Sequence, residues 1–381
     1  MADLLLNDEE ILLKNTVSDY SKNELAVRAA GYDESALFPW DNVSGIADLG
    51  LFGLTIAEEY GGSGGTTRQL AIAAEEIAKG CAATSVIYIA HLSLCTQFIN
   101  MFGSEEQKKK YLPDLASGKK VGAFALSEPG AGSDTAAIST SATRSNGHFV
   151  LDGVKTWISN APEASVFVTL ANSDISKKHR GIEALIVEAD TEGISVNQLH
   201  GKMGVRASTV GEIVFENVLV PSANRMGDDE QGFKQTMEVL NASRISIGAQ
   251  CVGIAQASLE AAVDYARHRE AFGGTLADLQ GIQWMIAEMA TEIEAARQLV
   301  MKSASLRDAN LPFATEASMS KLYASKVAME SAHKAVQIHG GTGYFAPTPV
   351  ERYFRDARVT EIYEGTSEIQ KLVIARNILK N

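Results

Sequence analysis

A proline-free interval in the C-terminal half most constrains what this chain can fold into. No proline occurs between Pro221 and Pro312, so the interval can form long uninterrupted helices. Within it apolar residues recur at spacings of three and four, as in a helix that buries one face in a bundle. They are Leu279, Ile282, Ile286, Met289, Ile293, Ala296 and Val300. With further helices predicted over 233–268, over 314–337 and at the chain's end, residues 229–381 are predicted to form a four-helix bundle.

The first part of the chain, residues 1–119, is predicted to be a helical domain. Asn7 can cap a first helix that opens with three acidic residues, and a second helix fits 67–79. A glycine-rich stretch at 61–65 invites a phosphate-binding interpretation. It lacks the lysine of a P-loop and the spacing of a dinucleotide-binding turn, so a structural loop is the favoured interpretation.

From residue 120 to 228 the periodicity becomes that of short strands. Asn146-Gly147 and Asp152-Gly153 have the composition of hairpin turns. The stretches 166–170, 184–187 and 213–215 have the composition of strands. We therefore predict a middle β domain, either a small barrel or a sandwich, and an α+β protein overall.

Composition restricts the classes of partner. A net charge of −13 argues against nucleic acid, because phosphate binding needs a basic surface. No apolar run approaches membrane-spanning length and the first residues lack a signal peptide, so no membrane span and a cytoplasmic location are expected. The three cysteines, Cys81, Cys95 and Cys251, have no metal-ligand spacing, which predicts buried thiols and no metal site.

The stretch 362–370 places a carboxylate at the entrance of a helix. Gly365 frees the backbone after Glu364, and Thr366 and Ser367 offer capping hydroxyls just before an apolar-periodic segment. Partial desolvation beside Tyr363 would raise the pKa of Glu364 and suit it to proton abstraction. A glutamate on a turn is more often structural, so this stretch alone leaves both interpretations open.

The same stretch closely resembles the signature of the acyl-CoA dehydrogenase family. It reads Ile362-Tyr363-Glu364-Gly365-Thr366-Ser367-Glu368-Ile369-Gln370, and matching segments recur along nearly the whole chain. The resemblance implies the three-domain fold of that family, FAD as cofactor, and a homotetramer that is a dimer of dimers. It also implies that Glu364 takes the α-proton of an acyl-CoA while the β-hydride goes to flavin N5, and that the electrons pass to electron-transferring flavoprotein.

Two segments of the middle domain resemble the flavin-binding sequences of the family. Small residues between Phe124 and Asp134 allow a flat or anionic ligand to approach the backbone, although the segment alone could be a plain turn. Trp157 follows a predicted strand, where a tryptophan is ordinarily core. The resemblance implies cofactor contacts from Phe124, Leu126, Ser127, Gly132, Ser133, Trp157, Ile158, Ser159, Thr366 and Glu368, with Ser133 also contacting the substrate.

Two junctions of the bundle resemble the family's adenosine-binding segments. Arg269 lies between two predicted helices, where an arginine is more often a capping partner, although its guanidinium also suits a pyrophosphate. Glycines after Gln337 allow backbone amides to face an anion. The resemblance implies contacts to the adenosine diphosphate half of FAD, made from a neighbouring subunit, by Arg269, Phe272, Gln280, Gln337, Gly340 and Gly341.

The segment 240–244 bears on which carboxylate is the base. One branch of the family carries its catalytic glutamate directly before the arginine of this segment, and Ser243 occupies that place here. The resemblance therefore favours Glu364. It implies substrate contacts from Asn241, where the family more often has aspartate, and from Arg244, Tyr363 and Gly365.

Substrate choice is less clear from the sequence. Val86, Ala90 and His91 match the helix that lines the acyl pocket in the family. His91 could bind a polar acyl group or take part in acid–base chemistry, but a histidine satisfied inside the protein is the favoured interpretation. Ser85 replaces the arginine of glutaryl-specific relatives, which disfavours a dicarboxylic substrate, and the unusual segment 344–349 leaves a branched or alicyclic acyl group open.

The expected activity is therefore dehydrogenation of a short-chain or alicyclic acyl-CoA. An oxidase of the same fold, which passes electrons to oxygen, is an alternative within enzymes. A non-catalytic flavoprotein scaffold or a nucleic-acid-associated relative is the alternative from another class, and the acidic composition together with the intact Glu364 counts against both.

Overall fold

The computed structural model describes residues 6–380 of the chain. Helices occupy the chain as far as Ala116, strands occupy the middle from Gly122 to Pro221, and helices return from Gly232. This order of elements confirms the predicted α+β class, with a β part between two helical parts.

From residue 6 onward, the N-terminal part contains seven α-helices. They are α1 (Asp8–Tyr20), α2 (Ala26–Ser35), α3 (Trp40–Asp48), α4 (Thr67–Gly80), α5 (Ala82–Ile89), α6 (Gln97–Phe102) and α7 (Glu105–Ala116). The predicted cap of α1 is confirmed, because the Asn7 side chain accepts from the Glu10 N–H and the Glu10 carboxylate accepts from the Asn7 N–H. A Cβ added at Gly62 would lie 2.1 Å from the carbonyl oxygen of Ile56, so close packing explains that glycine.

Helices α5 and α6 form one continuous rod, because the π-helical turn Ala90–Thr96 joins them. Among the described residues, Ala82–Phe102 is the one helix whose length and composition would suit a membrane span. The prediction that no apolar run approaches that length is therefore wrong. The rod is buried in the protein from Ala82 to Thr96, so it is the core helix of the N-terminal part.

The middle part is a seven-stranded mixed sheet. Its strands are β1 (Gly122–Ala125), β2 (Ser141–Ser145), β3 (His148–Ser159), β4 (Val166–Asn172), β5 (Ile182–Glu188), β6 (Ile194–Leu199) and β7 (Val210–Pro221). The order across the sheet is β1-β4-β2-β3-β7-β6, and β5 also pairs with β4. The predicted turn at Asn146-Gly147 is confirmed, since it joins β2 to β3.

The predicted turn at Asp152-Gly153 is wrong, because both residues lie inside β3. The pairing of β3 with β7 shifts register between Leu151 and Gly153, so the glycine accommodates a β-bulge rather than a reversal of the chain. The Asp152 side chain accepts from the backbone N–H of Asn217 on β7 at 2.7 Å, which holds the bulge together.

The C-terminal part contains the predicted long helices and one further helix. Its elements are α8 (Gly232–His268), the hairpin strands β8 (Glu270–Ala271) and β9 (Gly274–Thr275), α9 (Gln280–Asp308), α10 (Ala314–His339), α11 (Pro349–Arg358) and α12 (Ser367–Leu379). Sequence patterning missed α11, which begins at a proline in its first turn.

One arginine of α11 contacts both of the other parts of the chain. The Arg355 guanidinium contacts the Asp33 carboxylate on α2 at 2.6 Å and donates to the carbonyl oxygen of Met203 in the middle part at 3.1 Å. Because α11 leads directly into the turn that carries Glu364, this contact helps to position that turn against the other two parts.

Candidate active site

Glu364 lies on a tight turn that enters α12, as the sequence predicted. Its backbone φ is 51°, a left-handed value that costs free energy in a residue with a side chain, and Gly365 follows with a φ of 96°. Thr366 then caps α12, because its hydroxyl accepts from the backbone N–H of Ile369. The strained backbone projects the Glu364 side chain away from the helix axis and toward α8.

The environment of Glu364 suits a base that works near neutral pH. Burial raises the pKa of its carboxyl group, while a hydrogen bond from the Ser243 hydroxyl and the charges of Lys321 and Arg244 lower it, and the result is about 7. Ser243 therefore donates to the carboxylate from the position where a related enzyme branch would carry its own glutamate.

Two buried side chains, which the sequence reasoning missed, hold the backbone of this turn. Lys321 on α10 donates to the Gly365 carbonyl oxygen at 2.8 Å. Gln370 on α12 donates to the same oxygen at 2.8 Å and to the Glu364 carbonyl oxygen at 3.3 Å. The N–H groups of Glu364 and Gly365 have no hydrogen-bond partner among residues 6–380, so they remain available to a ligand.

Sequence spacing carried a signal for Lys321. It shares a buried helix face with Ala317, Ala324 and Ala328, at intervals of three and four residues. A lysine on the inward face of a bundle helix is unusual and indicates a specific buried partner. Gln370 carries no comparable signal, because glutamine is common on either face of a helix.

Arg244 lies in the same enclosure with part of its hydrogen-bonding capacity unused. Its Nη1 donates to the Asn241 side chain at 2.6 Å and to the Ser318 hydroxyl at 3.3 Å. Its Nε is buried without a partner among the described residues. Asn241 thus keeps a hydrogen-bonding role beside Arg244 although it lacks the charge of an aspartate.

Tyr363 connects the turn to the rod made by α5 and α6. Its hydroxyl donates to the Gln250 side chain on α8, and Gln250 donates in turn to the Ala82 carbonyl oxygen at 3.2 Å. This chain of contacts fixes the start of the rod relative to Glu364.

The predicted acyl-pocket residues Val86 and Ala90 lie on the buried part of the rod. They are 5% and 6% exposed, whereas the neighbouring Ile87 and His91 are fully buried. Further along the rod, Gln97 and Met101 line a cavity of about 470 Å³ together with Glu238 and Ala242 of α8. Val86 and Ala90 are not among the residues that line this cavity.

The contacts of His91 count against its predicted place in the substrate site and favour the interpretation as a satisfied histidine. The Gly122 N–H donates to Nδ1 at 3.0 Å, so Nε2 carries the proton and donates to the Leu115 carbonyl oxygen at 3.0 Å. Burial lowers the pKa of His91 to about 4, so the ring is neutral at physiological pH. Because both ring nitrogens are occupied, His91 links the end of α7 to the start of β1.

We expect His91→Ala to destabilise the protein without changing acyl preference. The variant leaves the Gly122 N–H buried without its partner, at a cost of about 1–3 kcal/mol, while the Leu115 carbonyl oxygen keeps the Gly118 N–H as a donor. Denaturant titration measures the stability, and turnover with a series of thioesters measures the preference. A changed order of substrates with unchanged stability would contradict this structural role.

Ser85 lies inside the N-terminal part. It is fully buried, and its hydroxyl donates to the Ala74 carbonyl oxygen on α4 at 3.2 Å. This hydroxyl is therefore already used by the fold.

The predicted flavin segments of the middle part lie beside open space. Trp157 is 62% exposed, because a bulge in β3 between Lys155 and Ile158 turns it outward while Ile158 packs inward. Cβ atoms added at Gly130 and Gly132 would meet nothing within 4 Å, so the segment borders open space. The neighbouring Phe124 ring lies 5.9 Å from the ring of Phe98, which brings this segment against the rod.

The predicted adenosine-binding residues gather at the opposite end of the bundle. Arg269 ends α8, Gln280 begins α9 and Gln337 lies near the end of α10, with Tyr265 and His339 stacked at 4.2 Å between α8 and α10. Phe272 in the intervening hairpin is 94% exposed. Along α8 this end lies 25 residues from Ser243, a rise of about 38 Å. The structure therefore does not bring these residues to Glu364 within one chain.

Thr366 and Glu368 lie on another face of the same turn. They border a second cavity, of about 810 Å³, between α9, α10 and α12. The predicted cofactor residues thus fall into three groups in one chain, which are the middle segments, the start of α12 and the far end of the bundle.

The whole of the described fold matches known proteins of one kind. Family models described as acyl-CoA dehydrogenase N-terminal, middle and C-terminal domains match residues 7–119, 123–218 and 230–379. The short-chain specific acyl-CoA dehydrogenase of Clostridium acetobutylicum is 44% identical over 378 residues, which cover 99% of this chain and 100% of that protein.

Solved structures agree with these matches. The butyryl-CoA dehydrogenase of Megasphaera elsdenii is 38% identical with a TM-score of 0.96, over 98% of this chain and 99% of that one. A chain from a structure described as the electron transferring flavoprotein of Acidaminococcus fermentans is 39% identical with a TM-score of 0.98, over 100% of both chains. Members of the matched family depend on FAD. The chain belongs to the acyl-CoA dehydrogenase family, and it is an acyl-CoA dehydrogenase.

Proposed function

We propose that this protein dehydrogenates a short-chain acyl-CoA between its α- and β-carbons, with Glu364 as the base. The observation that carries the proposal is the Glu364 turn itself. A partly desolvated carboxylate with a pKa of about 7 lies beside two backbone N–H groups that have no partner among residues 6–380. Proton abstraction next to a thioester needs both a base and donors for the developing oxyanion.

In the proposed mechanism, the Glu364 carboxylate removes the α-proton and its own backbone N–H donates to the thioester oxygen. Ser243 orients the carboxylate, and Arg244 with Asn241 lies where the CoA moiety would pass. When bound, FAD supplies the acceptor for the hydride that leaves the β-carbon. The product is a 2-enoyl-CoA.

We propose that the cofactor is held by two copies of the chain. The middle segments 124–133 and 157–159, with Thr366 and Glu368, would hold the flavin end. Arg269, Phe272, Gln280, Gln337, Gly340 and Gly341 of a second copy would hold the adenosine end. The separation of about 38 Å along α8 supports this, because one chain does not present both groups to one extended cofactor. A homotetramer built as a dimer of dimers satisfies the requirement.

A short acyl chain fits the proposed acyl site beside Val86 and Ala90. These residues are only 5% and 6% exposed and are flanked on the rod by the fully buried Ile87 and His91, which leaves little room for a long chain. The similarity to the short-chain specific enzyme of Clostridium acetobutylicum supports the same substrate class, while a compact alicyclic group remains within the proposal.

We further propose electron-transferring flavoprotein as the electron acceptor and the cytoplasm as the location. The likeness to a chain in a structure described as an electron transferring flavoprotein supports the acceptor. Three buried free cysteines agree with a reducing compartment.

The decisive experiment is an anaerobic titration of the purified yellow protein with butyryl, isobutyryl, hexanoyl, cyclohexanecarbonyl and cyclohexenecarbonyl thioesters of CoA. Rapid bleaching of the oxidised flavin by butyryl-CoA is the expected result. Bleaching by none of the thioesters would overturn the proposal in favour of a non-catalytic scaffold. Rapid aerobic formation of peroxide would identify an oxidase instead.

The proposed base predicts a specific pH dependence. Because Glu364 must be ionised to accept a proton and burial raises its pKa to about 7, kcat/KM should rise with pH through neutrality and then level off. At two pH units below the pKa, about one molecule in a hundred carries the ionised base, so the rate should fall roughly a hundredfold. Steady-state rates in buffers of constant ionic strength measure the profile. A flat profile from pH 5 to 8 would contradict the assignment.

A further inference from the structure

The proposed mechanism does not use two buried side chains, a lysine on α10 and a glutamine on α12. Both donate hydrogen bonds to the turn that carries Glu364, which is called the base turn below. Lys321 and Gln370 are both fully buried. Each donates at 2.8 Å to the Gly365 carbonyl oxygen, and Gln370 also reaches the Glu364 carbonyl oxygen. Burying a lysine costs free energy unless its charge is compensated, so packing alone does not explain this placement.

The two carbonyl contacts fix the backbone of the turn. In a trans peptide the C=O and the N–H point in opposite directions. The contact from Gln370 to the Glu364 carbonyl therefore turns the Gly365 N–H away from the bundle. The same hydrogen bonds hold Glu364 at a left-handed φ, a conformation that persists only when the surrounding structure enforces it.

The positive charge of the Lys321 ammonium group also lowers the pKa of the Glu364 carboxyl group. The charged or titratable groups that act on Lys321 are Glu364, Arg244 and Cys251 on α8, and Glu361 in the short turn after α11. Ser243 on α8 contacts Glu364 and carries no charge, and Tyr363 directly precedes Glu364 on the turn. Burial lowers the pKa of Lys321 to about 8, so it remains largely protonated at pH 7. No carboxylate of the described residues lies within ion-pair distance of its ammonium group.

We propose that Lys321 and Gln370 are positioning residues for the dehydrogenation. Both lock the carbonyls of the turn, and the positive charge of Lys321 keeps the base ionised at neutral pH. The inference rests on the proposed function, since it assumes that Glu364 is the base. The competing explanation is that the two side chains merely tie α10 to α12, in which case their loss would lower stability without altering the response of the reaction to pH.

Lys321→Gln separates charge from hydrogen bonding. The amide retains a donor for the Gly365 carbonyl but removes the buried cation. We expect the acid limb of the kcat/KM profile for butyryl-CoA to move up by about one pH unit, because an opposite charge within about 4–6 Å lowers a carboxyl pKa by about 1–3 units. The rate at pH 6 should fall about tenfold, and the rate at high pH should be retained.

Ser325→Ala is the matched control for this variant. Ser325 lies one turn further along α10, is buried, and donates to the Leu322 carbonyl oxygen at 3.2 Å. Its removal disturbs the same helix without touching the base turn, so the acid limb should stay in place. An acid limb that also stays in place in active Lys321→Gln would overturn the electrostatic part of the proposal.

Gln370→Leu tests the hydrogen bonds to the carbonyl oxygens of Glu364 and Gly365 without changing any charge. The Gln370 Oε1 is buried without a partner among the described residues, so leucine removes an unsatisfied oxygen and the fold should tolerate it. We expect kcat for butyryl-CoA to fall more than tenfold, with the acid limb unmoved and KM changed less than threefold. A wild-type kcat in this variant would overturn the proposal even if Lys321→Gln failed to fold.

Failure of the proposed function and failure of this inference alone give different experimental results. A wild-type protein that bleaches with no thioester would remove the proposed function and this inference with it. A wild-type protein that turns over butyryl-CoA, with both variants unchanged in kcat and in pH profile, would leave the proposed function intact and overturn this inference alone.

Discussion

Glu364→Gln should retain the bound flavin and lose nearly all turnover. Glutamine keeps an oxygen that accepts from the Ser243 hydroxyl, so the turn should stay folded, but the neutral amide cannot take the α-proton. Removing a general base costs roughly a hundred- to ten-thousand-fold in rate. Anaerobic stopped-flow bleaching with butyryl-CoA measures the loss directly, and the visible spectrum of the purified variant measures flavin retention.

Glu106→Gln is the control for this prediction. Glu106 is exposed on α7, and its carboxylate accepts from the Ser104 hydroxyl at 2.9 Å. The same chemical change at this exposed position should leave bleaching within about twofold of the wild type, as expected for a surface substitution. Near wild-type turnover in Glu364→Gln would show that another group removes the proton.

The turn that carries Glu364 could be predicted from the sequence because the relevant signals are local. A glycine directly after the carboxylate and a capping threonine next to it predict a turn that enters a helix, and the structure confirms both the turn and the cap. Long helices without proline and strand-like segments in the middle were predictable for the same reason. Each of these signals depends on residues within one or two turns of each other.

The side chains that donate hydrogen bonds to the carbonyl oxygens of this turn could not be predicted in the same way. Lys321 and Gln370 reach Gly365 because packing of α10 against α12 brings them there, and no local pattern encodes that packing. His91 was ambiguous for a related reason. Whether a ring nitrogen faces substrate or the backbone of Leu115 and Gly122 depends on where β1 lies, and β1 belongs to another part of the chain.

Local signals also failed where a strand carried turn residues. Asp152-Gly153 has the composition of a hairpin turn, yet β3 continues through it, because a bulge also uses the conformational freedom of glycine. The same strand contains the bulge that turns Trp157 outward. Irregularities in β3 thus shape the proposed flavin surface, and pairing with β7 decides them rather than the sequence of β3 alone.

Beneath that surface lies a buried ion pair. The Lys155 ammonium lies 2.7 Å from the Glu128 carboxylate, and both side chains are almost fully buried. Lys155 also donates to the Leu126 carbonyl oxygen at 3.1 Å, while Glu128 accepts from the backbone N–H groups of Ser139 and Thr140. The pair therefore joins β3 to the segment 126–128, which is proposed to hold the flavin.

The charges of this pair depend on each other. Burial on its own would raise the pKa of Glu128, but Lys155 and the surrounding donors hold it at about 2. Burial lowers the pKa of Lys155 to about 8 despite the attraction of Glu128. Both groups are therefore charged at pH 7, and removing either one leaves an uncompensated charge in the interior.

Lys155→Met should be the most destabilising substitution considered for this protein. Breaking a buried ion pair by removing one partner costs about 3–5 kcal/mol. Flavin content should fall as well, because the segment 126–128 loses its anchor. Guanidinium titration of the middle-domain transition measures the stability, and the ratio of visible to ultraviolet absorbance measures the flavin content. Lys177→Met is the control, since Lys177 forms an exposed ion pair with Glu230 and its loss should change neither quantity measurably.

The double variant Lys155→Met/Glu128→Gln distinguishes the loss of packing from the loss of charge balance. Glutamine keeps an oxygen that can accept from Ser139 and Thr140 but carries no charge, so the uncompensated anion disappears. We expect the double variant to be more stable than Lys155→Met alone, because most of the penalty in the single variant comes from the unpaired carboxylate. If the double variant were less stable than the single one, the two residues would contribute independently, and the buried pair would not be what holds the proposed flavin segment in place.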